Sequence, residues 1–205
     1  MVDNRQHWES VYHHKATDAV SWFQPHAASS LRLIQGCTDI HAHIIDVGGG
    51  ASVLVDDLLD AGYRNLSVLD LAESALAASR QRLGVRAQPV QWIAADITQA
   101  ELLPAARYDV WHDRAVFHFL TDPADRARYV ETVLKSVKPG GHVIVATFGP
   151  GGPLQCSGLE VVRYAPDALH AEFGAPFRLI RHETEIHHTP TGKEQEFVYC
   201  YCVRV

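Results

Sequence analysis

The stretch HIIDVGGGAS, at residues 43–52, decides the fold of this chain. Its first half is apolar and β-branched, which favours a short strand buried on both faces of a sheet. The glycines that follow allow the backbone to turn tightly and to approach a ligand without a Cβ in the way. Residues 51–59 then have the apolar spacing of a helix. A strand, a glycine turn and a helix in this order form a ligand site at the carboxyl end of the first strand of an open α/β sheet.

The spacing of the glycines limits which ligand the turn can bind. A dinucleotide fingerprint has the form Gly-x-Gly-x-x-Gly, but Val53 occupies the position of the third glycine. An acid two residues before Gly-x-Gly, followed by a small residue, instead resembles the first motif of class I S-adenosylmethionine-dependent methyltransferases. The resemblance implies S-adenosylmethionine as cofactor, and its positively charged amino group suits a nearby carboxylate; the alternative is a turn without a ligand. The residues expected to bind the cofactor here are Asp46, Gly48, Gly49, Gly50 and Ser52.

Two further acids follow predicted strands. The strand at residues 66–70 ends in Asp70, where nucleoside-binding α/β folds place an acid that accepts hydrogen bonds from the ribose hydroxyls. Leu71 follows, and its apolar surface is suited to adenine. The third predicted strand, residues 90–94, leads into Asp96 and Ile97. This segment resembles the methyltransferase motif whose acid binds the adenine amino group, so all four of these residues are expected to contact the cofactor.

The segment after the fourth predicted strand, residues 108–112, carries the candidate catalytic residues. Its Asp113-Arg114-Ala115 resembles the Asp-Lys-Gly segment of a methyltransferase branch that includes protein lysine methyltransferases. The resemblance implies a position between cofactor and substrate. We expect Asp113 to orient a substrate amine or to contact the cofactor, and an ion pair with Arg114 is the alternative. His118 lies on an apolar stretch predicted as a helix, and it is either a base or a histidine packed under the cofactor.

The rest of the chain extends this resemblance. A fifth strand, residues 143–147, follows the turn Lys138-Pro139-Gly140-Gly141, which is frequent at this point in class I methyltransferases. Residues 177–188 and 195–204 alternate between apolar and polar side chains and predict an antiparallel hairpin. The resemblance covers residues 42–147. It implies a Rossmann-like three-layer α/β/α sandwich around a mostly parallel seven-stranded sheet of order 3-2-1-4-5-7-6, with strand 7 antiparallel.

The amino-terminal segment allows two interpretations. Residues 4–14 and 26–35 have helical apolar stripes, and an aromatic pair that includes Trp22 lies between them, just before a proline that disfavours helix. The aromatic side chains either close the edge of the core or belong to a lid, residues 1–36, that covers the ligand as in many small methyltransferases. In the second case Trp22 contacts both cofactor and substrate, and Gln24 contacts the substrate.

Substrate contacts are also expected from the carboxyl-terminal part of the chain. The glycine- and proline-rich loop after the fifth strand lies at the ligand-binding end of the sheet. Arg163, near this loop, suits an anionic group of the substrate, with a structural clamp on carbonyl groups as the alternative. The expected substrate-binding residues are Trp22, Gln24, Arg114, His118, Arg163, Tyr164 and His188.

Length and composition restrict the function classes. With 205 residues the chain is expected to form one domain, in which residues 42–147 bind the cofactor and residues 148–205 supply a substrate loop and a terminal hairpin. A net charge of -6 argues against a nucleic-acid-binding surface. No apolar run reaches the length of a membrane span, about 20 residues.

Cysteine and histidine usage favours a metal-free protein in a reducing compartment. The four cysteines have no zinc-type spacing, and the 13 histidines are scattered, so no metal site is expected. The first residues are polar and lack a signal-peptide core, which predicts a cytoplasmic location.

Several functions remain open at this level. The first is methyl transfer from S-adenosylmethionine to a nitrogen, oxygen or sulfur atom of a small molecule, by a monomer or homodimer. A protein lysine methyltransferase is the variant that Asp113-Arg114-Ala115 suggests. An NAD-linked oxidoreductase is disfavoured by Val53 and Asp96. A non-catalytic nucleoside-binding protein would have the same cofactor residues.

Overall fold

A mixed sheet forms the centre of the molecule in the computed structural model, which describes residues 4–99 and 103–205. Its strands are β1 (Ile44–Val47), β2 (Leu66–Asp70), β3 (Gln91–Ala94), β4 (Tyr108–Arg114), β5 (Val137–Phe148), β8 (Phe177–His188) and β9 (Glu194–Arg204), and a separate two-stranded hairpin contains β6 (Gln155–Cys156) and β7 (Leu159–Glu160). The seven strands of the sheet have the order β3-β2-β1-β4-β5-β9-β8. β9 is antiparallel to β5 and β8. The predicted order 3-2-1-4-5-7-6 is therefore confirmed.

Helices cover both faces of the sheet. They are α1 (Asn4–His14), α2 (Ala28–Gln35), α3 (Leu54–Asp60), α4 (Glu73–Leu83), α5 (Pro123–Ser136) and α6 (Pro166–Phe173). Neighbouring residues of a strand point to opposite faces, so Ile44 belongs to one core and Ile45 to the other. Leu58 of α3 packs in the first core and Tyr129 of α5 in the second. This is the expected three-layer sandwich.

The strand order positions a cleft at one edge of the sheet. β1 is parallel to β2 on one side and to β4 on the other. The connections that leave β1 and β4 therefore run to opposite sides, and a crevice opens at the carboxyl ends of these two strands. The glycine turn after β1 lies at this point.

The two helices of the predicted lid segment, residues 1–36, pack differently. Leu33 and Ile34 of α2 are buried in the first core, so this helix is a layer of the sandwich. α1 has no buried residues, and its Trp8 and Tyr12 pack on alanines next to the glycine turn. α1 and the segment around Trp22 lie over the cleft, and α2 reaches it with Ser30.

Three local predictions also differ from the structure. β5 begins at Val137, because the predicted turn is a bulge inside the strand, with Gly140 at a φ of +77°. The apolar stretch around His118 forms one 3₁₀ turn, Phe117–Phe119, instead of a helix. The hairpin of β6 and β7 was not predicted, although its turn residues Ser157 and Gly158, both at positive φ, are typical of a tight hairpin.

Across the described ranges, none of the helices combines the length and the apolar character that crossing a membrane requires.

Candidate functional site

Two joined cavities occupy the crevice at the carboxyl ends of β1, β2 and β4. The larger has a volume of about 210 Å³ and the smaller one of about 50 Å³. Trp22, Gly48 and Arg114 line both of them. A ligand that is longer than either cavity can therefore pass over Gly48 from one to the other.

The glycine turn leaves no space for side chains. Gly48 has a φ of +71°, and a Cβ there would lie 2.0 Å from the side chain of Val116. A Cβ on Gly49 would lie 2.1 Å from Asp46 Oδ2, and one on Gly50 would lie 2.6 Å from the Asp70 carboxylate. All three glycines are required because the turn packs directly against the carboxylates at the ends of β1 and β2.

Asp70 lies at the floor of the larger cavity, as predicted for the ribose-binding acid. Its two oxygens accept hydrogen bonds from the backbone N–H groups of Gly50, at 3.0 Å, and Ala72, at 2.9 Å. Burial raises the pKa of Asp70 to about 6. Each carboxylate oxygen has two lone pairs, so a pair of ligand hydroxyls can still be accepted.

The residues predicted for adenine line the same cavity. They are Leu71, Asp96 and Ile97. Asp96 Oδ1 accepts hydrogen bonds from the backbone and the side chain of Thr98, at 2.9 and 2.7 Å, which fixes the turn after β3. The larger cavity thus contains the apolar side chains of Leu71 and Ile97 together with the carboxylates of Asp70 and Asp96, which suits a nucleoside.

Asp46 belongs to the smaller cavity. Oδ1 accepts a hydrogen bond from His112 Nδ1 at 2.7 Å. Oδ2 is buried and has no hydrogen-bond partner among the described residues. Gly49 and Ser52 line this cavity too. A buried carboxylate oxygen without a partner costs about 1–3 kcal/mol, which a cationic donor on a ligand would recover.

The opposite wall of the smaller cavity contains a paired arginine. Arg114 donates to Glu185 at 3.2 Å, and its guanidinium lies 4.0 Å from the centre of the Phe197 ring. Gln24 donates to the same Glu185 oxygen at 3.1 Å. The predicted residues Gln24 and Arg114 are therefore brought to the site and held there by one carboxylate.

An aromatic wall closes the larger cavity, and most of it could not be inferred from sequence patterns. The rings of Trp8 and Phe119 are 5.1 Å apart, those of Trp8 and Trp22 are 5.7 Å apart, and those of Tyr12 and Trp22 are 6.3 Å apart, all edge to face. Trp8 and Tyr12 are four residues apart on α1, which identified a helix stripe but not what the stripe faces. This wall consists of Trp8, Tyr12, Trp22 and Phe119. Trp22 was predicted to line the site, and the other three residues are the main part of the site that sequence reasoning missed.

Cys156 lines the larger cavity as well. The hairpin of β6 and β7 places it there, and burial raises the pKa of its thiol to about 11. A neutral thiol is a poor nucleophile, so the residue contributes to the cavity wall and is not suited to covalent catalysis.

Asp113 does not line either cavity. The register pairs Val47 with Asp113, so its side chain points to the face opposite that of its neighbour His112. It is fully buried and accepts hydrogen bonds from the Tyr129 hydroxyl at 2.6 Å and from the backbone of Val116 and Phe117. These hydrogen bonds suit a residue that fixes the turn after β4. The Asp113 carboxylate lies away from both cavities.

Four other predicted residues also lie outside the cavities. His118 is fully buried, its Nδ1 accepts the backbone N–H of Phe148, and burial lowers its pKa to about 3. Arg163 donates to the carbonyl groups of the loop at Pro150 and Gly152, which is the structural clamp considered as an alternative. The hydroxyl of the buried Tyr164 is bonded to Glu172, and the exposed His188 pairs with Glu194.

The predicted residues that do line the two cavities fit S-adenosylmethionine. The larger cavity provides carboxylates for a nucleoside, and the smaller one, past Gly48, provides the free oxygen of Asp46 for an amino group. The glycine turn between them has no room for a Cβ. Among residues 4–99 and 103–205, no group of three or more potential ligands is placed to hold a metal ion.

Comparison with known proteins indicates the same class of protein. A family model described as a methyltransferase domain matches residues 45–143. The chain is 30% identical over 113 residues to a ubiquinone biosynthesis O-methyltransferase of Acinetobacter baumannii, which covers 51% of this chain and 43% of that protein. It is 25% identical over 139 residues to the mouse eEF1A lysine and N-terminal methyltransferase, covering 64% of this chain and 19% of the relative. The chain thus spans less than half the length of either relative.

A solved structure with a similar fold is the 1,6-didemethyltoxoflavin-N1-methyltransferase of Burkholderia thailandensis, which contains bound S-adenosylhomocysteine. It superposes with a TM-score of 0.68 at 21% identity, over 98% of this chain and 87% of that one. The family model, the sheet order and the glycine turn agree with one another. Residues 45–143 match a methyltransferase domain, and the sheet order gives this chain the fold of the class I S-adenosylmethionine-dependent methyltransferases.

Proposed function

We propose that this chain transfers the methyl group of S-adenosylmethionine to a nitrogen, oxygen or sulfur atom of a small, flat acceptor. The observation that carries the proposal is the larger cavity, where Asp70 and Asp96 share the space with an aromatic wall. The carboxylates suit the nucleoside of the cofactor. The aromatic wall leaves a narrow, apolar space next to it for the acceptor.

The protein contributes positioning and exclusion of water. When bound, S-adenosylmethionine supplies an electrophilic methyl group, and the acceptor lone pair forms the new bond while the electron pair of the broken bond stays on sulfur. Asp70 would hold the ribose and Asp46 the amino group, and together they would restrict the position of the methyl group relative to the acceptor. The aromatic wall orients the acceptor, and such alignment can account for a large share of the rate.

The cavity also suggests which acceptors react. Among the described residues, its lining contains no histidine or lysine, and the Cys156 thiol is neutral. Its carboxylates at Asp70 and Asp96 are assigned to the nucleoside of the cofactor, and Asp125 pairs with Arg128. The acceptor atom therefore needs a free lone pair on arrival, as in a heteroaromatic nitrogen or an ionised phenol or thiol.

Methyl transfer to a panel of acceptors tests the proposal. The purified protein is incubated with methyl-labelled S-adenosylmethionine and, separately, with planar heteroaromatic compounds, phenols, aliphatic amines and lysine peptides. We expect methylated product from the heteroaromatic compounds and the phenols. Trp8→Ala should lower kcat/KM there about tenfold, the scale of one lost aromatic contact, whereas Trp92→Ala, outside both cavities, should leave it unchanged.

A second candidate is protein lysine methylation. It is favoured by the similarity to the eEF1A lysine and N-terminal methyltransferase and by the acidic side chains of the larger cavity, which suit a cation. The lysine-peptide arm of the same experiment decides between the two. Methylated product from the lysine peptides alone would show that the acceptor is a protein and not a small molecule.

A further inference from the structure

In the wall of the smaller cavity, a buried histidine, His112, links the acid of the glycine turn to helix α2. His112 Nδ1 lies 2.7 Å from Asp46 Oδ1, and His112 Nε2 lies 2.8 Å from Ser30 Oγ. All three residues are at most 4% exposed. A carboxylate can only accept a hydrogen bond, so Nδ1 carries a proton and donates to Asp46, while Nε2 shares a hydrogen bond with the Ser30 hydroxyl.

Both ends of this link are fixed. Asp46 and His112 are register partners on adjacent parallel strands, so their backbones cannot move independently. Ser30 is carried by α2, whose start is fastened to α3 by a hydrogen bond of 2.7 Å from the backbone of Ala27 to Asp57. His112 therefore holds the Asp46 carboxylate between two rigid supports.

This arrangement decides which oxygen of Asp46 is free. His112 occupies Oδ1 and leaves Oδ2 unpartnered, on the side of Gly49, where a Cβ would lie only 2.1 Å away. Without the histidine, the carboxylate could rotate about its last bond, and either oxygen could take up another donor. The ring thus selects one rotamer of the acid.

The hydrogen-bonded chain continues beyond Ser30 to the opposite wall of the cavity. The hydroxyl of Tyr199 lies 3.5 Å from Ser30 Oγ and donates to Glu185 at 3.4 Å. Glu185 in turn accepts from Arg114 at 3.2 Å. The same set of buried polar groups therefore supports both walls of the smaller cavity.

We infer that His112 is a positioning residue, anchored by Ser30, that turns Asp46 toward the amino group of the cofactor and so favours ligands that carry this group over nucleosides that lack it. The inference deepens the proposed function and rests on its assignment of the smaller cavity to the amino-acid end of the cofactor. His112 itself need not touch the ligand, because it acts through Asp46.

Two ligands that differ only at this end provide the test. S-adenosylhomocysteine has the amino-acid group, and 5′-methylthioadenosine has the same nucleoside without it. Isothermal titration of His112→Leu should show the affinity for the first reduced about tenfold or more, and that for the second changed less than about twofold. Ser30→Ala should change the same ratio in the same direction by a smaller factor, because Asp46 keeps its histidine.

The controls separate this role from a general structural one. His142→Leu removes a histidine that bonds the Tyr201 hydroxyl at 2.8 Å and lines neither cavity, so both affinities should stay unchanged. An equal loss for both ligands in His112→Leu, or an unchanged ratio in Ser30→Ala, would overturn the inference. Should His112→Leu fail to fold, the Ser30→Ala ratio decides alone. Wild-type protein that binds neither ligand would contradict the proposed function instead.

Discussion

Carboxylates near the ends of β2 and β4 have different roles here because their surroundings differ. Asp70 lines the larger cavity and accepts two backbone N–H groups, whereas Asp113 lies on the other face and accepts the Tyr129 hydroxyl. Burial raises the pKa of each from 3.8 to about 6. The two acids therefore titrate in the same range of pH, but only Asp70 is placed to affect a ligand.

We expect the affinity for S-adenosylhomocysteine to fall as the pH is lowered below about 6, by up to about tenfold per pH unit. The ribose hydroxyls donate to the ionised carboxylate of Asp70, and protonation removes this acceptor. Isothermal titration between about pH 5 and pH 8 measures the effect. In Asp70→Asn the affinity should be low and nearly independent of pH over this range.

The matched control is Asp113→Asn, in which the pH dependence of the affinity should persist. For both acids the raised pKa means that the folded protein holds more protons than the unfolded chain between about pH 4 and pH 6. The free energy of unfolding contributed by these groups therefore falls as the pH rises through this window. Affinity and stability change in opposite directions, so a loss of binding at low pH is not explained by unfolding through these acids. A wild-type affinity without pH dependence would remove Asp70 from the ribose site.

At the scale of elements, α1 is attached to the core by two kinds of contact. Its aromatic residues Trp8 and Tyr12 pack on the alanines beside the glycine turn. Its Glu9 reaches the start of α4, where it accepts the backbone N–H of Glu73 at 2.7 Å and that of Ser74 at 3.3 Å. α4 has no side-chain cap of its own, so a residue of another helix supplies it.

Glu9→Ala should loosen α1 and the first turn of α4 together. The loss of a helix cap costs about 0.5–2 kcal/mol, and here it is shared between the two helices that the side chain joins. Hydrogen exchange should become faster at residues 4–14 and at the first turn of α4, with little change in the sheet. Ser10→Ala, which removes a hydroxyl bonded only within α1, should leave α4 unchanged. Exchange that increases in α1 alone would show that Glu9 is not the cap.

At the scale of the whole molecule, the cofactor site lies between elements that are distant in the sequence. Its residues come from α1, the segment around Trp22, the ends of β1, β2 and β3, the turn after β4 and the hairpin of β6 and β7. A ligand in this position contacts all layers of one edge of the sandwich. Binding is therefore expected to stabilise the folded chain as a unit.

Thermal unfolding should show this stabilisation. At about 100 times its Kd, a ligand adds about 2.7 kcal/mol, which raises the Tm of a chain of this size by roughly 5–10 °C. We expect this shift with S-adenosylhomocysteine and none with NAD, since Val53 replaces the third glycine of a dinucleotide site. Asp70→Ala should reduce the shift, because losing hydrogen bonds at this acid weakens binding by roughly 1.5–3 kcal/mol. A shift with NAD alone would contradict the assignment of the cofactor.

Much of the architecture could be predicted because it depends on local patterns. β2 lies at the predicted residues 66–70 and α4 at the predicted residues 73–83. Asp70, Leu71, Asp96 and Ile97 lie in one cavity because acids and apolar residues that end parallel strands must meet at one edge of the sheet. Predictions were less successful for residues placed by contacts between distant elements, such as His118, Arg163 and His188, which lie outside the cavities.

The sequence by itself determined the seven strands of the main sheet, most of the helices, the glycine turn and the acids at the strand ends, since periodicity and turn chemistry act within a few residues. Only the tertiary structure decided that His112 faces the ligand side and Asp113 the other, because the pairing of β1 with β4 joins positions 66 residues apart. It also decided that α1 contributes the aromatic wall, whereas α2 joins the core. Both helices have an apolar stripe, and which stripe covers the cleft depends on how each helix packs against the finished sheet.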